Sequence, residues 1–309
     1  MRTPSPPSAG RRPGRRATGL ALLALAGCAP LGVIGDGSSV SGGQPNRGWL
    51  LDARRLPDRG DGYLTHATWR ARGLRFGTDE MLALLTQAAA SIATTNAPVR
   101  LGIGDLSFEG GGPAAPHHRS HQSGRDADLF LYLIDAAGRP YESTTMRALG
   151  DDGVALDGSG ERLDVARTWQ LVRALVTSPQ RNVQYLFLYE PLSQLLLDHA
   201  RAAAEPPWLL ELARQALLEP SGAPHADHLH VRVYCSPMDE QVGCRDFGNL
   251  ALRDKRLDTA RLLQSLHAQV LEHLPVAGSG LLAWRLTAPD ERAATLDASE
   301  TGAVSSGAR

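Results

Sequence analysis

HADHLHVRVYC is the stretch at residues 225–235 that decides the fold of this chain. From His228 onward, polar and apolar residues alternate, which is the period of two typical of a β-strand. Successive side chains of a strand point to opposite faces, so one face of this strand is apolar and is expected to lie against the core. The other face carries the side chains of His228, His230, Arg232 and Tyr234.

The two histidines of this strand, His228 and His230, are close enough to act at a single site. Residues two apart on one strand face lie about 6–7 Å from each other, so both imidazoles can reach one ligand. An earlier stretch, HRSHQSGRDADLFLYLI at residues 118–134, has a similar character. Asp126 and Asp128 share a face at the start of its apolar part, where an unpaired carboxylate costs several kcal/mol. A metal ion is one partner that would remove this cost.

Histidines are concentrated in these two stretches. Of the ten in the chain, five fall there and a sixth, His117, directly precedes the first stretch; the five are His118, His121, His225, His228 and His230. A set of His121, Asp128 and His230 offers two imidazoles and one carboxylate and leaves a fourth coordination position open, which is the pattern of a catalytic zinc site. His228 would stand beside the metal without binding it, a place suited to a general base that later acts as a general acid.

Three polar neighbours have more than one interpretation. Asp227 either orients a ring nitrogen of His228 as a hydrogen-bond acceptor or serves as a turn residue. Arg125 and Arg232 either hold carboxylates of a substrate or form ion pairs. The partners in such pairs would be Asp126 and Asp227.

The whole chain mixes helices and strands without regular βαβ alternation. Periodicity and capping residues predict helices over residues 79–92, 164–176, 191–204, 207–218 and 258–274. Alternating or continuous apolar runs predict strands over residues 99–103, 128–134, 183–189 and 228–234. We therefore expect an α+β fold in one domain, residues 50–275, whose central antiparallel sheet carries the zinc site between flanking helices.

Two long segments lack a regular pattern. Residues 104–125 are rich in Gly, Pro and His, and loops of this length in compact domains are usually functional or disordered. Residues 138–160 are polar and contain several glycines, so they are expected to be irregular.

Composition excludes several classes of protein. The chain has 309 residues, of which 42% are hydrophobic, enough to build a core and too many for a wholly disordered chain. No apolar run approaches the roughly 18 residues of a spanning helix, which excludes a polytopic membrane protein. The net charge of −1 comes without a long basic stripe and argues against a nucleic-acid partner. The oligomeric state stays open.

The first 27 residues have the composition of an export signal. Five arginines and no acidic residue precede a short apolar run over residues 20–26, which leads into Leu-Ala-Gly-Cys at 25–28. This ending resembles a bacterial lipobox, in which Cys28 would be lipidated; a plain secretory signal is the alternative. Residues 28–49 are expected to form a flexible tether and residues 276–309 a disordered tail.

The cysteines agree with export. After Cys28, only Cys235 and Cys244 remain. In an oxidising compartment these two are expected to form a disulfide, with two separate buried thiols as the alternative. We expect a periplasmic protein of the bacterial envelope, held at a membrane by its lipid alone.

The motifs around the histidines resemble those of the penicillin-insensitive murein endopeptidases. They are Gly-Asp-Leu-Ser at 104–107, Gly-Gly-Pro at 111–113, His-Arg-Ser-His-Gln-Ser-Gly-Arg-Asp-Ala-Asp at 118–128 and His-Ala-Asp-His-Leu-His-Val-Arg at 225–232. That family belongs to a wider group of zinc peptidases that includes lysostaphin-type endopeptidases and D-Ala-D-Ala dipeptidases. The group's signature is a His, six residues, an Asp and a later His-x-His. The resemblance covers roughly residues 55–245.

The resemblance carries expectations for the site. It implies that His121, Asp128 and His230 bind a zinc ion and that His228 acts in catalysis. His118 and His225 also match histidines of the motif, as residues that line the site or as ligands of a second metal. The implied substrate is peptidoglycan, cleaved between D-alanine and meso-diaminopimelate in its peptide cross-links. The pairing of Cys235 with Cys244 also resembles a disulfide of the family.

Related activities stay open at this point. A zinc D,D-carboxypeptidase or L,D-endopeptidase would use the same residues, and so would a zinc-containing envelope binding module without turnover. A His-rich oxygenase or cupin barrel is a further alternative, but neither a nearby Glu nor a His-x-Asp pair accompanies His121 or His230. Residues 138–160 and the last 60 residues match no part of the family pattern.

Overall fold

The computed structural model describes residues 39–95, 99–178, 183–222, 224–250 and Arg253. The helices of this part are α1 (Ala67–Arg72), α2 (Asp79–Thr95), α3 (Val165–Val176), α4 (Glu190–Ala202), α5 (Pro207–Ala216) and α6 (Pro237–Gln241). The strands are β1 (Val40–Gln44), β2 (Arg47–Leu51), β3 (Arg54–Arg55), β4 (Arg59–Gly60), β5 (Tyr63–Leu64), β6 (Phe76–Gly77), β7 (Leu101–Gly102), β8 (Asp126–Phe130), β9 (Leu133–Ile134), β10 (Pro140–Tyr141), β11 (Arg162–Leu163), β12 (Val183–Phe187), β13 (Leu217–Leu218) and β14 (His228–Val233).

A four-stranded sheet with the order β13–β12–β14–β8 lies at the centre of the fold. Its strands are antiparallel except for the short edge strand β13, which runs parallel to β12. In the β14–β8 pair, His230 stands opposite Asp128 and Arg232 stands opposite Asp126. The α+β class and the mostly antiparallel central sheet expected from the sequence are therefore confirmed.

The β8–β14 pair has two faces that differ in chemistry. The site face carries Asp126, Asp128, His228, His230 and Arg232, and the core face carries Ala127, Leu129, Leu229, Val231 and Val233. All five side chains of the core face are buried in the main hydrophobic core. This core also includes one face of α3, which packs against both α2 and α4. The alternation read from residues 228–234 thus sets which side chains face the site.

Capping side chains define the starts of α2 and α3. The Thr78 hydroxyl accepts a hydrogen bond from the amide of Met81 at the start of α2. The Asp164 carboxylate accepts one from the amide of Arg167 and caps α3. A side chain in this position satisfies one of the helix amides that have no partner within the helix.

The predicted strand over residues 128–134 is wrong in its bounds. The strand begins two residues earlier, at Asp126, and stops at Phe130, and a separate strand, β9, follows it. β9 pairs with β10 and β11 in a sheet of its own, so the continuous apolar run serves two sheets. Residues 138–160 are irregular as expected, apart from the two-residue β10.

The flexible tether predicted for residues 28–49 is wrong from Val40 onward. Residues 40–51 form an antiparallel hairpin of β1 and β2, so the folded domain begins before residue 50. The glycines of this segment serve close packing: a Cβ on Gly42 would lie 2.0 Å from the indole of Trp49. Gly43 has a positive φ of 70°, which glycine adopts at no steric cost. Glycine content alone does not distinguish such a hairpin from a linker.

The hairpin holds two other segments together. Gly43 exchanges backbone hydrogen bonds with the chain around Cys244, at 3.2 Å to the carbonyl of Gly243 and 2.9 Å from the amide of Arg245. On the other strand, the amide of Leu50 donates to the carbonyl of Gly110 at 3.0 Å. The hairpin therefore ties the C-terminal end of the described domain to the long loop of residues 103–125.

Several predictions lie outside the described residues. These are the export signal, the helix over 258–274, the upper domain boundary at 275 and the tail over 276–309. Within the residues that the structure describes, no helix has both the length and the apolar character needed to cross a membrane.

Candidate metal centre

The candidate centre lies where the site face meets the loop of residues 103–125, called the site loop below. Pairing of β8 with β14 brings Asp128 beside His230, and the site loop adds His121 from the N-terminal side of β8. His121 has a φ of 63°, in the left-handed region that bulky residues seldom occupy. Such a conformation costs of order 1–3 kcal/mol and persists only where surrounding contacts enforce it.

Three imidazoles converge on one carboxylate oxygen, Oδ1 of Asp128. This atom lies 3.1 Å from Nδ1 of His230, 3.3 Å from Nε2 of His121 and 3.4 Å from Nε2 of His228. His121, His230 and Asp128 are all buried. The structure thus brings the three predicted ligands together, with the predicted catalytic histidine in direct contact with the same oxygen.

In His121 and His230, the ring nitrogen that faces away from Asp128 lies within hydrogen-bond distance of another acceptor. His121 Nδ1 lies 2.7 Å from the carbonyl oxygen of Leu106 and must donate to it, since a carbonyl only accepts. His230 Nε2 lies 2.9 Å from Oδ1 of Asp126. Donation from these atoms leaves the unprotonated nitrogen of each neutral ring pointing at Asp128.

This arrangement fits a bound cation. Within the described residues, neither His121 Nε2 nor Asp128 Oδ1 has a hydrogen-bond partner, although both are buried. Two buried acceptors that face each other at 3.3 Å need a positive charge between them or a proton on the ring. Two nitrogens and one carboxylate oxygen form a ligand set that suits Zn²⁺.

Asp126 contacts both predicted histidine ligands, His121 and His230. Its Oδ2 accepts a hydrogen bond from the backbone amide of His121 at 3.1 Å, and its Oδ1 faces His230 Nε2. Arg232 Nε donates to the same Oδ1 at 2.6 Å. Burial raises the pKa of Asp126, but the Arg232 charge and the bond from His230 outweigh it and hold this pKa well below its ordinary value.

Arg125 and Arg232 both form ion pairs within the protein. Arg232 forms an ion pair with Asp126, one of the two alternatives predicted for it, and its guanidinium lies over the ring of Phe187. Arg125 is fully buried and donates to Asp246 at 2.7 Å and to the carbonyl of Val233 at 3.0 Å. The alternative in which Arg125 binds a carboxylate of a substrate is therefore wrong, because its guanidinium is enclosed by the protein.

His228 is oriented by its sequence neighbour. Its Nδ1 lies 2.6 Å from Oδ1 of Asp227, so Asp227 orients the ring, which was the first of its two interpretations. Burial lowers the pKa of His228, but the nearby charge of Asp128 and the charge and hydrogen bond of Asp227 outweigh this effect and raise the pKa to about 10. For Asp128 itself, burial raises the pKa, and His121 and His228 bring it well below its ordinary value.

Two further histidines lie at the edges of the centre. His118 Nε2 is 3.7 Å from Oδ2 of Asp128 and 2.8 Å from Oδ2 of Asp105. His225 is partly buried, with its ring 4.7 Å from that of His228. Among the described residues, two sets have donor atoms within 4.8 Å of one another: His118, His121 and Asp128, and His225, His228 and His230. His117 is exposed.

Sequence reasoning assigned no role to two residues that shape the centre. Phe187 on β12 stands directly opposite His230 and packs edge-on against its ring, with centroids 5.3 Å apart. Asp105 is fully buried behind His118. The only signal for Asp105 was its place in the Gly-Asp-Leu-Ser motif, and Phe187 read as one apolar residue of a strand.

A disulfide joins Cys235 and Cys244. It closes the loop that follows β14 and contains α6. The alternative of two separate thiols is therefore wrong. The bond lies next to the hairpin, since Cys244 forms a β-bridge with Gly43.

The centre as a whole has the features of a metal-dependent hydrolase: buried nitrogen and oxygen donors, supporting hydrogen bonds and an adjacent histidine. The family model of the penicillin-insensitive murein endopeptidases matches residues 41–255, more than half of the chain. The chain belongs to this family. The match starts within β1, in agreement with a domain that begins at the hairpin.

Individual relatives have the same name. A penicillin-insensitive murein endopeptidase of Haemophilus influenzae is 28% identical over 229 residues, which cover 68% of this chain and 72% of the relative. One of Klebsiella pneumoniae is 28% identical over 228 residues, 70% of this chain and 76% of the relative. One of Escherichia coli is 27% identical over 216 residues, 68% of this chain and 71% of the relative.

Proposed function

We propose that this protein is a zinc-dependent murein endopeptidase that hydrolyses D-alanyl–meso-diaminopimelyl cross-links of peptidoglycan. The observation that carries the proposal is the convergence of three imidazole nitrogens on Asp128 Oδ1, all within 3.4 Å. Membership in the murein endopeptidase family supports the substrate class. The particular bond is the finer part of the proposal and rests on the resemblance of the motifs.

The residues that would hold the zinc ion are His121 through Nε2, His230 through Nδ1 and Asp128 through its carboxylate. When bound, zinc polarises the scissile carbonyl and lowers the pKa of a coordinated water to about 7. Asp126 and the carbonyl of Leu106 keep both rings in the required orientation through the second ring nitrogen. Support of this kind commonly accounts for a factor of about 10 to 100 in metal affinity or activity.

His228 is the proposed general base and acid. Asp227 holds Nδ1, so Nε2 is the atom available for a proton. The proton of the attacking water passes to Nε2, and Nε2 then gives it to the leaving amine. A base must first be neutral, and Asp128 is the charge that most strongly raises the pKa of His228. A dication bound to Asp128 would offset that charge and lower this pKa toward neutrality.

The direct test combines purified cross-linked muropeptide dimers with the zinc-loaded protein. Mass spectrometry should detect conversion of dimers to monomers, and a chelator should stop it. The fragment masses identify the bond and so distinguish an endopeptidase from a D,D-carboxypeptidase or an L,D-endopeptidase. Intact dimers after incubation with a protein that holds zinc would contradict the proposal.

A substitution tests the proposed role of His228. His228→Ala should retain zinc, because the three proposed ligands are intact, and should lose about 10²–10⁴ in rate. A matched control is His199→Ala on α4, outside the candidate centre, which should leave the rate unchanged. Full activity in His228→Ala would show that another group handles the proton.

We also propose that the chain is exported and lipidated at Cys28. The basic and apolar N-terminal segments and the Leu-Ala-Gly-Cys ending support this proposal. Expression in a bacterium should yield a protein that partitions into detergent, and Cys28→Ser should leave it in the aqueous phase or uncleaved. Aqueous partitioning of the unaltered chain would favour a plain secretory signal.

A further inference from the structure

Arg232 uses only part of its hydrogen-bonding capacity in the ion pair with Asp126. A guanidinium has five N–H donors, one on Nε and the others on the two Nη nitrogens. Within the part of the chain that the structure describes, the only hydrogen bond of this side chain runs from Nε to Oδ1 of Asp126, at 2.6 Å. Neither Nη nitrogen is fully enclosed by the described residues. The donors of both Nη groups are therefore left over for an external acceptor.

The side chain of Arg232 is nevertheless only 8% exposed. Its guanidinium lies over the rings of Phe187 and Phe247, with Cζ 5.1 Å and 5.9 Å from the two ring centroids. Aromatic contacts of this kind cover the flat face of a guanidinium and leave its in-plane N–H groups unused. Because buried polar groups normally have hydrogen-bond partners, a nearly buried cation with unpaired donors has the character of a binding site.

Arg125 provides a comparison within the same region. Its Nη1 donates to the carbonyl of Val233 and to the carboxylate of Asp246, and its Nη2 donates to the carbonyl of Arg245. Both Nη nitrogens of Arg125 thus bind protein acceptors, and its side chain is 1% exposed. Arg232 differs in both respects, so an ion pair alone does not account for the way in which its guanidinium is placed.

Arg232 lies directly beside the candidate metal centre. It follows His230 by two positions on the site face of β14, a spacing of about 6–7 Å. Oδ1 of Asp126 contacts both residues, at 2.9 Å from Nε2 of His230 and 2.6 Å from Nε of Arg232. The ring of Phe187 also contacts both. A substrate group bound by Arg232 would therefore lie about one or two residues from the bond at the centre.

We propose that the Nη groups of Arg232 bind a free carboxylate of the wall peptide, which makes Arg232 a specificity-determining residue. A planar guanidinium suits this ligand, because two parallel N–H groups can donate to the two carboxylate oxygens. The inference rests on the proposed function, which supplies the ligand. Diaminopimelate has two carboxylates, and in a stem that continues to D-alanine one of them stays outside the peptide chain.

The order of residues along β14 indicates on which side of the scissile bond this carboxylate lies. His228 and Arg232 are on opposite sides of His230 along the strand. Since His228 is the proposed proton donor to the leaving amine, Arg232 lies toward the acyl side. The diaminopimelate on that side is the one that precedes the D-alanine whose carbonyl is attacked. Its long side chain can span the distance of one or two residues.

Paired substrates test this proposal without depending on the absolute rate. The zinc-loaded full chain is given cross-linked muropeptide dimers whose acyl-side diaminopimelate carries either the free carboxylate or a carboxamide. The unaltered protein should cleave the carboxylate form with about 10- to 100-fold higher kcat/KM, the usual effect of charge-assisted hydrogen bonds. In Arg232→Gln this ratio should fall to within about threefold of unity. Because both substrates meet the same protein, a partial loss of zinc cancels in the ratio.

Two controls accompany this comparison. Arg139→Gln, at a side chain that is 79% exposed and pairs with Asp135, should keep the ratio of the unaltered protein. A carboxamide on the amine-side diaminopimelate should leave kcat/KM unchanged. A loss of kcat/KM from that second carboxamide, or a preference that persists in Arg232→Gln, would overturn the proposal. Equal cleavage of both acyl-side forms by the unaltered protein would do so even if Arg232→Gln does not fold.

A binding measurement separates failure of this proposal from failure of the proposed function. Isothermal titration of the full chain with the monomer that ends in D-alanine compares the carboxylate and carboxamide forms without any cleavage. The carboxylate form should bind about 10- to 100-fold more tightly, and Arg232→Gln should remove the difference. Selective binding without cleavage of dimers would overturn the proposed reaction alone. Equal binding of the two forms would overturn the role of Arg232.

Discussion

The two faces of the β8–β14 pair are both buried, but they differ in what makes burial favourable. On the core face, Leu229 and Val231 are wholly enclosed by other apolar side chains, so burial itself stabilises the fold. On the site face, each polar group needs a partner. Arg232 balances the charge of Asp126, whereas the nearest groups around Asp128 Oδ1 are imidazoles. This difference indicates that the functional part of the strand pair is Asp128, a buried carboxylate that imidazoles surround and no arginine contacts.

The largest effect on zinc binding and turnover should come from removing the carboxylate of Asp128. Asp128→Ala should abolish zinc binding and reduce turnover by at least about 10³-fold, because the bound metal supplies several kcal/mol of transition-state stabilisation. Zinc content by mass spectrometry and muropeptide turnover test it. Asp198→Ala on the exposed side of α4 is the matched control. Retention of one tightly bound zinc by Asp128→Ala would break the proposed difference between the faces.

On the core face the same kind of truncation should act on stability alone. Leu229→Ala should lower the free energy of unfolding by about 3 kcal/mol, through lost burial and the cavity left behind. Denaturant unfolding measures this loss, and turnover per folded molecule should not change. Leu156→Ala, at a side chain that is 70% exposed, should cost less than about 0.5 kcal/mol. A change in zinc affinity for Leu229→Ala would show that the faces are coupled.

A smaller effect is expected for Asp126, the carboxylate that contacts both proposed histidine ligands. Asp126→Asn should weaken zinc binding by about 10- to 100-fold, because the amide keeps one acceptor oxygen and cannot accept from both the His121 backbone amide and His230 Nε2. Competition with a chromophoric chelator measures the affinity. Arg232→Gln breaks the same ion pair from the other side and leaves Asp126 in contact with both histidines, so its zinc affinity should fall less. Equal losses would assign the effect to the ion pair instead.

The smallest effect is expected at Asp239, a buried carboxylate that lies on neither face of the β8–β14 pair. Burial raises the pKa of Asp239 to about 6, although the amide of Ser41 donates to it. A raised pKa favours the protonated folded state, so the carboxylate is neutral and harmless near pH 4 and increasingly unfavourable as pH rises through 6. Asp239→Asn should therefore stabilise the protein by about 1–2 kcal/mol at pH 7.5 and by little at pH 4.

Thermal unfolding at the two pH values tests this prediction. Asp198→Asn, at a half-exposed side chain of α4, serves as the control and should shift neither melting temperature. Equal stabilisation by Asp239→Asn at both pH values would mean that the gain comes from packing and not from charge.

The sequence predicts those features that depend on local periodicity. Alternation over residues 228–234 assigned His228 and His230 to one face, and the spacing of Asp126 and Asp128 assigned the partner strand. The structure adds what only distant contacts determine. The hairpin of residues 40–51 depends on pairing with Gly110 and Gly243, and no local pattern encodes such partners.

Dependence on distant contacts also explains why the sequence did not reveal the surroundings of Asp105 at the candidate site. The contacts of Asp105 depend on Arg72 of α1, Asp128 of β8 and His118 further along the site loop. Its burial and its partners become visible only when those segments have met. The motif marked the residue, but the motif carried no physical indication of what the carboxylate contacts.

The register that sets Asp128 opposite His230 also fixes an order of events during biosynthesis. The two residues are separated by about a hundred positions, and closing so long a loop costs entropy that only the finished sheet repays. A nascent chain that ends before β14 can offer a metal no more than the proposed ligands of the site loop and β8. The proposed metal site is therefore completed last, after β14 has docked between β8 and β12. The chain would load its metal in the compartment where it completes folding, so the metal supply of that compartment determines which ion it carries.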